Sequence, residues 1–138
     1  MSMKKVKVSS KDELLDEIYK CIRRKGITCD LNHIDVSEVK DMSELFLDSM
    51  FNGDISGWDT SNVEDMTRMF AYSEFNGDIS KWNVSRVKSM NSMFQESVFK
   101  GDISNWDFSN VTNMKNMFYH ASRKPDTSTW NIRKGVRL

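Results

Sequence analysis

GDISGWDTSNVEDMTRMF, residues 53–70, returns as GDISKWNVSRVKSMNSMF at 77–94 and as GDISNWDFSNVTNMKNMF at 101–118. The period is 24 residues with no insertion, and it can be followed beyond these three copies. Asp30, Asp54, Asp78, Asp102 and Asp126 mark it, followed four positions later by Ile34, Trp58, Trp82, Trp106 and Trp130. Further columns hold Ser37, Ser61, Ser85 and Ser109; Val39, Val63, Val87 and Val111; Met42, Met66, Met90 and Met114; and Phe46, Phe70, Phe94 and Phe118. A fixed apolar set at a period of 20–30 residues predicts a solenoid in which each unit buries its face against its neighbours.

Within a unit, Val63, Met66 and Phe70 fall on one face at helical spacing, with Met69 beside them, and Ser61 precedes them as an N-cap would. Asn76-Gly77 supplies a turn, and Asp78-Ile79-Ser80 reads as a short extended segment. The expected fold is therefore α/β: a leucine-rich-repeat-like solenoid of about four 24-residue strand-turn-helix units behind an N-terminal capping helix. One domain, 1–138, divides into a capping helix at 10–26, repeats at 30–53, 54–77, 78–101 and 102–125, and an incomplete terminal unit at 126–138. In SKDELLDEIYKCIRRK, Ser10 and Glu13 form a capping box, Leu14, Leu15, Ile18, Tyr19 and Ile22 form the apolar stripe, and Gly26 ends the helix. The last unit loses the pattern, with Arg123 and Pro125 where Phe and Gly would recur, and is expected to contribute a strand and stop.

Of the ten methionines, those inside the repeats recur at core spacing, which favours packing over a Met-lined ligand groove or thioether metal site. Position 59 alternates Asp59, Asn83, Asp107 and Asn131, so an acceptor oxygen matters there and charge does not. The column Asp54, Asp78, Asp102 and Asp126 keeps its carboxylate; each either caps the Asn-Gly turn before it or joins the others in holding a cation such as Ca²⁺. No other metal, and no cofactor, is implied. Cys21 and Cys29 have neither disulfide-framework nor metal-ligand spacing and are expected to be reduced and packed.

Net charge is zero, but residues 1–26 carry eight Lys or Arg against four acids, while 27–78 carry twelve acids against Lys40 and Arg68. Such blocks bear on partner choice. No apolar run approaches the length of a membrane span, and the N-terminus lacks a signal-peptide h-region, so a cytoplasmic setting is expected, or a surface one if a leader was removed.

The pattern W-[DN]-x-S-x-V-x-x-M-x-x-M-F…F-x-G-D-I-S over residues 10–132, with the leading unit DLNHIDVSEVKDMSELF, resembles the BspA-like leucine-rich repeats. That resemblance implies a repeat solenoid with no catalytic residues to carry over, and, from many bacterial members, adhesion or host-protein binding. The residues themselves point to a non-enzymatic protein-protein interaction module whose outer positions vary over a constant scaffold. His33 and His120 are the only histidines, and no P-loop, GxSxG, HExxH or CxxC motif occurs. The acids Glu38, Asp41, Glu44, Asp48, Glu64 and Asp65, with Arg68, Lys81 and Lys88, are the candidate partner-binding residues, suited to a basic protein partner or to inhibition of one. Alternatives are surface adhesion, nucleic-acid contact through the basic termini, and a homo-oligomer through the C-terminal edge.

Overall fold

Residues 5–138 are described in a computed structural model. The N-terminal helix forms as expected. It is α1, Lys11–Lys25, with the Ser10 hydroxyl accepting from the Glu13 N–H and Gly26, at φ 90°, closing the C-terminus onto the Ile22 carbonyl. The Glu13 carboxylate departs from the expected box, accepting instead from the Ser9 hydroxyl at 3.1 Å. Leu14, Ile18 and Cys21 are buried against the first repeat, and Lys11 reaches the Ser43 carbonyl at 3.3 Å.

The four strand-turn-helix units are not formed. Among the described residues the regular elements are α1 and one parallel pair, β1 (Val6–Lys7) with β2 (Ile34–Asp35), which overturns the leucine-rich-repeat-like solenoid expected above. Ser61 caps no helix, and the 126–138 segment forms turns in place of a strand. The reason lies in backbone hydrogen bonding. The N–H groups of Met66, Arg68, Phe70 and Tyr72 donate sideways to the carbonyls of Ser89, Asn91, Met93 and Gln95, 23 residues on, at 2.8–2.9 Å. Between them Met69, Ala71 and Ser73 donate back three residues, to Met66, Arg68 and Phe70, at 3.2–3.3 Å. The same alternation holds at 42–49 and 90–97.

In these three rungs every N–H of the ribbon finds an acceptor without an α-helix, those of Ser43, Thr67 and Asn91 going to the side chain two residues before. Two residues per repeat take left-handed dihedrals to allow it: Glu44 and Asp48, Arg68 and Tyr72, Ser92 and Glu96, Asn116 and His120, all at φ between 54° and 60°. A right-handed helix cannot contain such residues. Segments of eight residues are also too short to gain much from helical cooperativity, whereas lateral bonding lets each repeat lie on the next as a rung.

The inward-facing residues form columns along the rungs. Phe46, Phe70, Phe94 and Phe118 stack at 5.6 Å, Phe51, Phe75 and Phe99 at 6.2 Å, and Trp58, Trp82 and Trp106 at 6.3 Å, with planes within 8° of parallel. Each of these indoles donates Nε1–H to the carbonyl of the apolar residue 27 positions earlier, Leu31, Ile55 and Ile79, at 2.9–3.1 Å. A buried indole needs such a partner. Trp130 leaves the column: it lies over Phe108 at 4.5 Å, and its Nε1 is buried without a partner. Met42, Met66, Met69, Met90, Met93, Met114 and Met117 are all buried in the same core.

Cys21 and Cys29 are buried and unpaired. Burial, with Cys21 beside it, pushes the Cys29 thiol up to about 12. The neutral thiol is therefore the folded form at ordinary pH, and thiolate chemistry is suppressed. Native protein at pH 8 is expected to alkylate at Cys29 at least tenfold more slowly than urea-unfolded protein, as read by mass spectrometry over time.

Candidate interaction surface

Each rung bends at its conserved Asp. Oδ1 of Asp54 accepts the Ser56 N–H at 2.9 Å and the Ser56 hydroxyl at 2.7 Å, and Asp78 repeats this with Ser80. Asp102 and Asp126 accept the N–H of Ser104 and Ser128. The column caps the bend that follows it and not the Asn-Gly turn before it, and no cluster of three metal-ligating side chains occurs among the described residues. Asp59, Asn83 and Asp107 accept the N–H two residues on at 3.0 Å, the acceptor role expected for that column.

The neighbouring serines lower the carboxyl pKa values of six aspartates. At Asp35, Asp78, Asp102 and Asp107 the serine hydroxyl is the main cause and the serine N–H the second; at Asp54 and Asp126 the N–H leads. A depressed folded-state value gives stability that is present above the ordinary carboxyl range and lost as pH falls through the folded values. The melting temperature should therefore be level above about pH 5 and fall steadily below about pH 4. A Ser56→Ala/Ser80→Ala variant should show a shallower fall in a thermal melt series.

The ribbon's outward side chains also form columns. Asp41, Asp65, Ser89 and Asn113 bridge in parallel, and one position along the same ribbon carries Glu44, Arg68, Ser92 and Asn116. Another carries Asp48, Tyr72, Glu96 and His120. Most of the candidate acids lie on or beside this ribbon, but four of the six are engaged within the molecule. Glu38 pairs with Lys7 at 3.0 Å, Asp41 with Lys11 at 3.5 Å, Glu44 with Arg68 at 3.5 Å, and Glu64 with Lys88 at 3.2 Å. Exposed pairs of this kind, screened by solvent, add little stability, but they neutralise the face. Asp48 is exposed and makes no ion pair among the described residues, while Asp65 accepts the Thr67 N–H at 2.8 Å. Lys81 is exposed in the Asp78–Trp82 bend, a different segment of the rung.

Sequence reasoning passed over Tyr72 and Tyr119, which are 47% and 49% exposed on the ribbon, and the His120–Glu96 contact at 3.0 Å, with Tyr119 stacked on His120. The signal was present in the column Asp48, Tyr72, Glu96, His120, which is as variable as any in the repeat. His33, the other histidine, has its Nδ1 buried without a partner among the described residues, beside a cleft of about 240 Å³ shared with Lys5, Lys25, Asp30 and Asn32. The two histidines have no common site.

A family model described as "Mycoplasma protein of unknown function, DUF285" matches residues 15–135. The chain belongs to the DUF285 family. No curated protein matches it, and no solved structure does. The DUF285 match agrees with a bacterial repeat family and covers α1 from Leu15 onward and the rungs, but carries no activity with it. No helix among the described residues is long and apolar enough to cross a membrane.

Proposed function

We propose that this DUF285 chain is a non-enzymatic protein-interaction module that meets its partner through the ribbon face. The observation that supports this is the division of each rung into constant and variable positions. Phe46, Phe70 and Phe94 are identical and buried, while two residues before them stand Glu44, Arg68 and Ser92 and two residues after them Asp48, Tyr72 and Glu96, all but Ser92 exposed. A scaffold held by its own columns leaves the outer ones to change without loss of fold. Tyr72 supplies a rigid amphipathic contact of the kind enriched at interfaces. Asp48 and Asp65 leave the first two rungs suited to basic groups on the partner, in the cytoplasm or at a cell surface.

The test is a photo-cross-linking residue placed at Tyr72, and in a second protein at Ser104 in the bend, each exposed to lysate of the source cell. Supporting the reading would be one protein adduct at position 72, absent at 104, competed by unlabelled chain and weakened several-fold between about 50 and 300 mM salt. Equal adducts at both positions, or none at 72, would sink it.

A further inference from the structure

The ribbon of the last full rung, 113–120, accepts hydrogen bonds along one side and gives none along the other. Carbonyls of Asn113, Lys115, Met117 and Tyr119 accept from Met90, Ser92, Phe94 and Glu96 at 2.8–2.9 Å. The outward N–H groups of Met114, Asn116, Phe118 and His120 meet no acceptor among the described residues. In the three preceding rungs the same four positions all donate to the next rung. Beside this row is a cleft of about 230 Å³ lined by Asn116, Met117, Phe118, Tyr119, Lys124 and Leu138. Phe118, the last ring of its column, is only half-buried, and Asn116, Tyr119 and His120 are exposed. Residues 113–138 carry six Lys or Arg against one acid, Asp126.

We propose that this edge docks an acidic segment of a partner polypeptide, which presents a row of backbone carbonyls and so adds a further rung. The mode is strand addition, with main-chain bonds giving affinity and the basic surround selecting charge. The occupant's chemistry is displayed three times within the molecule, where rung-to-rung bonding supplies the same carbonyls in the same register.

A second copy does not fit. Tail to tail, this stretch would set donors against donors. Head to tail, the matching carbonyls of Asp41, Ser43, Leu45 and Leu47 lie at the end covered by α1, where Lys11 already holds the Ser43 carbonyl and ion-pairs with Asp41. The edge acts through main-chain N–H groups at the end of the ribbon and the function proposed above through side chains on its face at Tyr72, so the two stand or fall independently.

The probe is the free peptide SEVKDMSELFLDSM, residues 37–50, with four acids against one lysine. Hydrogen exchange of the full chain is followed by NMR. Without peptide, amides 116, 118 and 120 should exchange at least tenfold faster than their bonded counterparts 92, 94 and 96. Saturating peptide should slow them at least tenfold. Phenyllactic acid in place of Phe118 removes one N–H while keeping the ring, and should weaken peptide binding about threefold to tenfold. Lys115→Glu/Lys124→Glu should weaken it further at low salt.

The proposal is overturned if millimolar peptide does not bind, or binds and leaves these amides unchanged. Sedimentation as a dimer with the same amides protected would assign the edge to a second copy and also overturn it. Protection by an oligonucleotide but not by peptide would assign it to phosphate.

Discussion

Replacing Phe70 by Ala should remove about 3–5 kcal/mol of stability, a large share of the total for a chain this size. The ring is fully buried and packs against four others: Phe46 and Phe94 at 5.6 Å in its own column, Phe75 at 4.7 Å in the next, and Trp82 at 6.3 Å. Truncation leaves a void between rungs that cannot collapse, because the backbones on either side are tied by the bonds of Phe46 to Met69 and Phe70 to Met93, both 2.9 Å. Phe70→Leu keeps most of the volume and should cost about 1–2 kcal/mol. Phe118→Ala, half-buried at the end of the column, should fall between them. Urea unfolding of the three variants checks the order. Equal losses at Phe70 and Phe118 would mean that the columns do not carry the fold.

The second large effect belongs to Gly53. A Cβ there would lie 1.9 Å from the Cys29 carbonyl oxygen and 2.7 Å from the Phe51 ring. The first obstacle is backbone, and the Asp54 N–H is bonded to that same carbonyl at 3.3 Å, so neither rung can retreat without breaking the pairing. Gly53→Ala is expected to cost about 3 kcal/mol or more. At Gly57 the nearest atom is the Asn32 Oδ1, a side chain, at 3.0 Å. Gly57→Ala should therefore cost about 1 kcal/mol or less. A Gly53→Ala protein as stable as wild type in the same urea titration would show that the rungs at 29 and 53 are not in contact.

Much of this arrangement was legible in the sequence. The 24-residue period located every column, the apolar set named the core, and Ser10 and Gly26 bounded α1 to within a residue. The acceptor role at position 59 followed from its tolerance of Asn for Asp. The helices failed for a definable reason. Val63, Met66 and Phe70 point inward at spacings of three and four, and a series of three-residue turns meets that condition as well as a helix does. Left-handed residues would have separated the two, but they are Glu44, Arg68, Tyr72 and Glu96, with no glycine among them to announce the conformation. Their dihedrals are imposed by bonding between rungs, which no single repeat reveals.

The candidate surface was half legible: the acids could be counted, but not the bases opposite them, because Lys7, Lys11, Arg68 and Lys88 reach their partners across distances in the chain that only stacking sets. The departure of Trp130 was foreshadowed by Arg123 and Pro125, which replace the ring and glycine that elsewhere hold the rung in place.

The three indoles also have an optical consequence. Trp58, Trp82 and Trp106 lie parallel at 6.3 Å, close enough for their electronic transitions to couple. The near-ultraviolet circular dichroism of the molecule then belongs to the column and not to separate chromophores. A change that spreads one rung from the next would dim that signal even where every tryptophan stays buried, so the protein carries a built-in gauge of its own spacing.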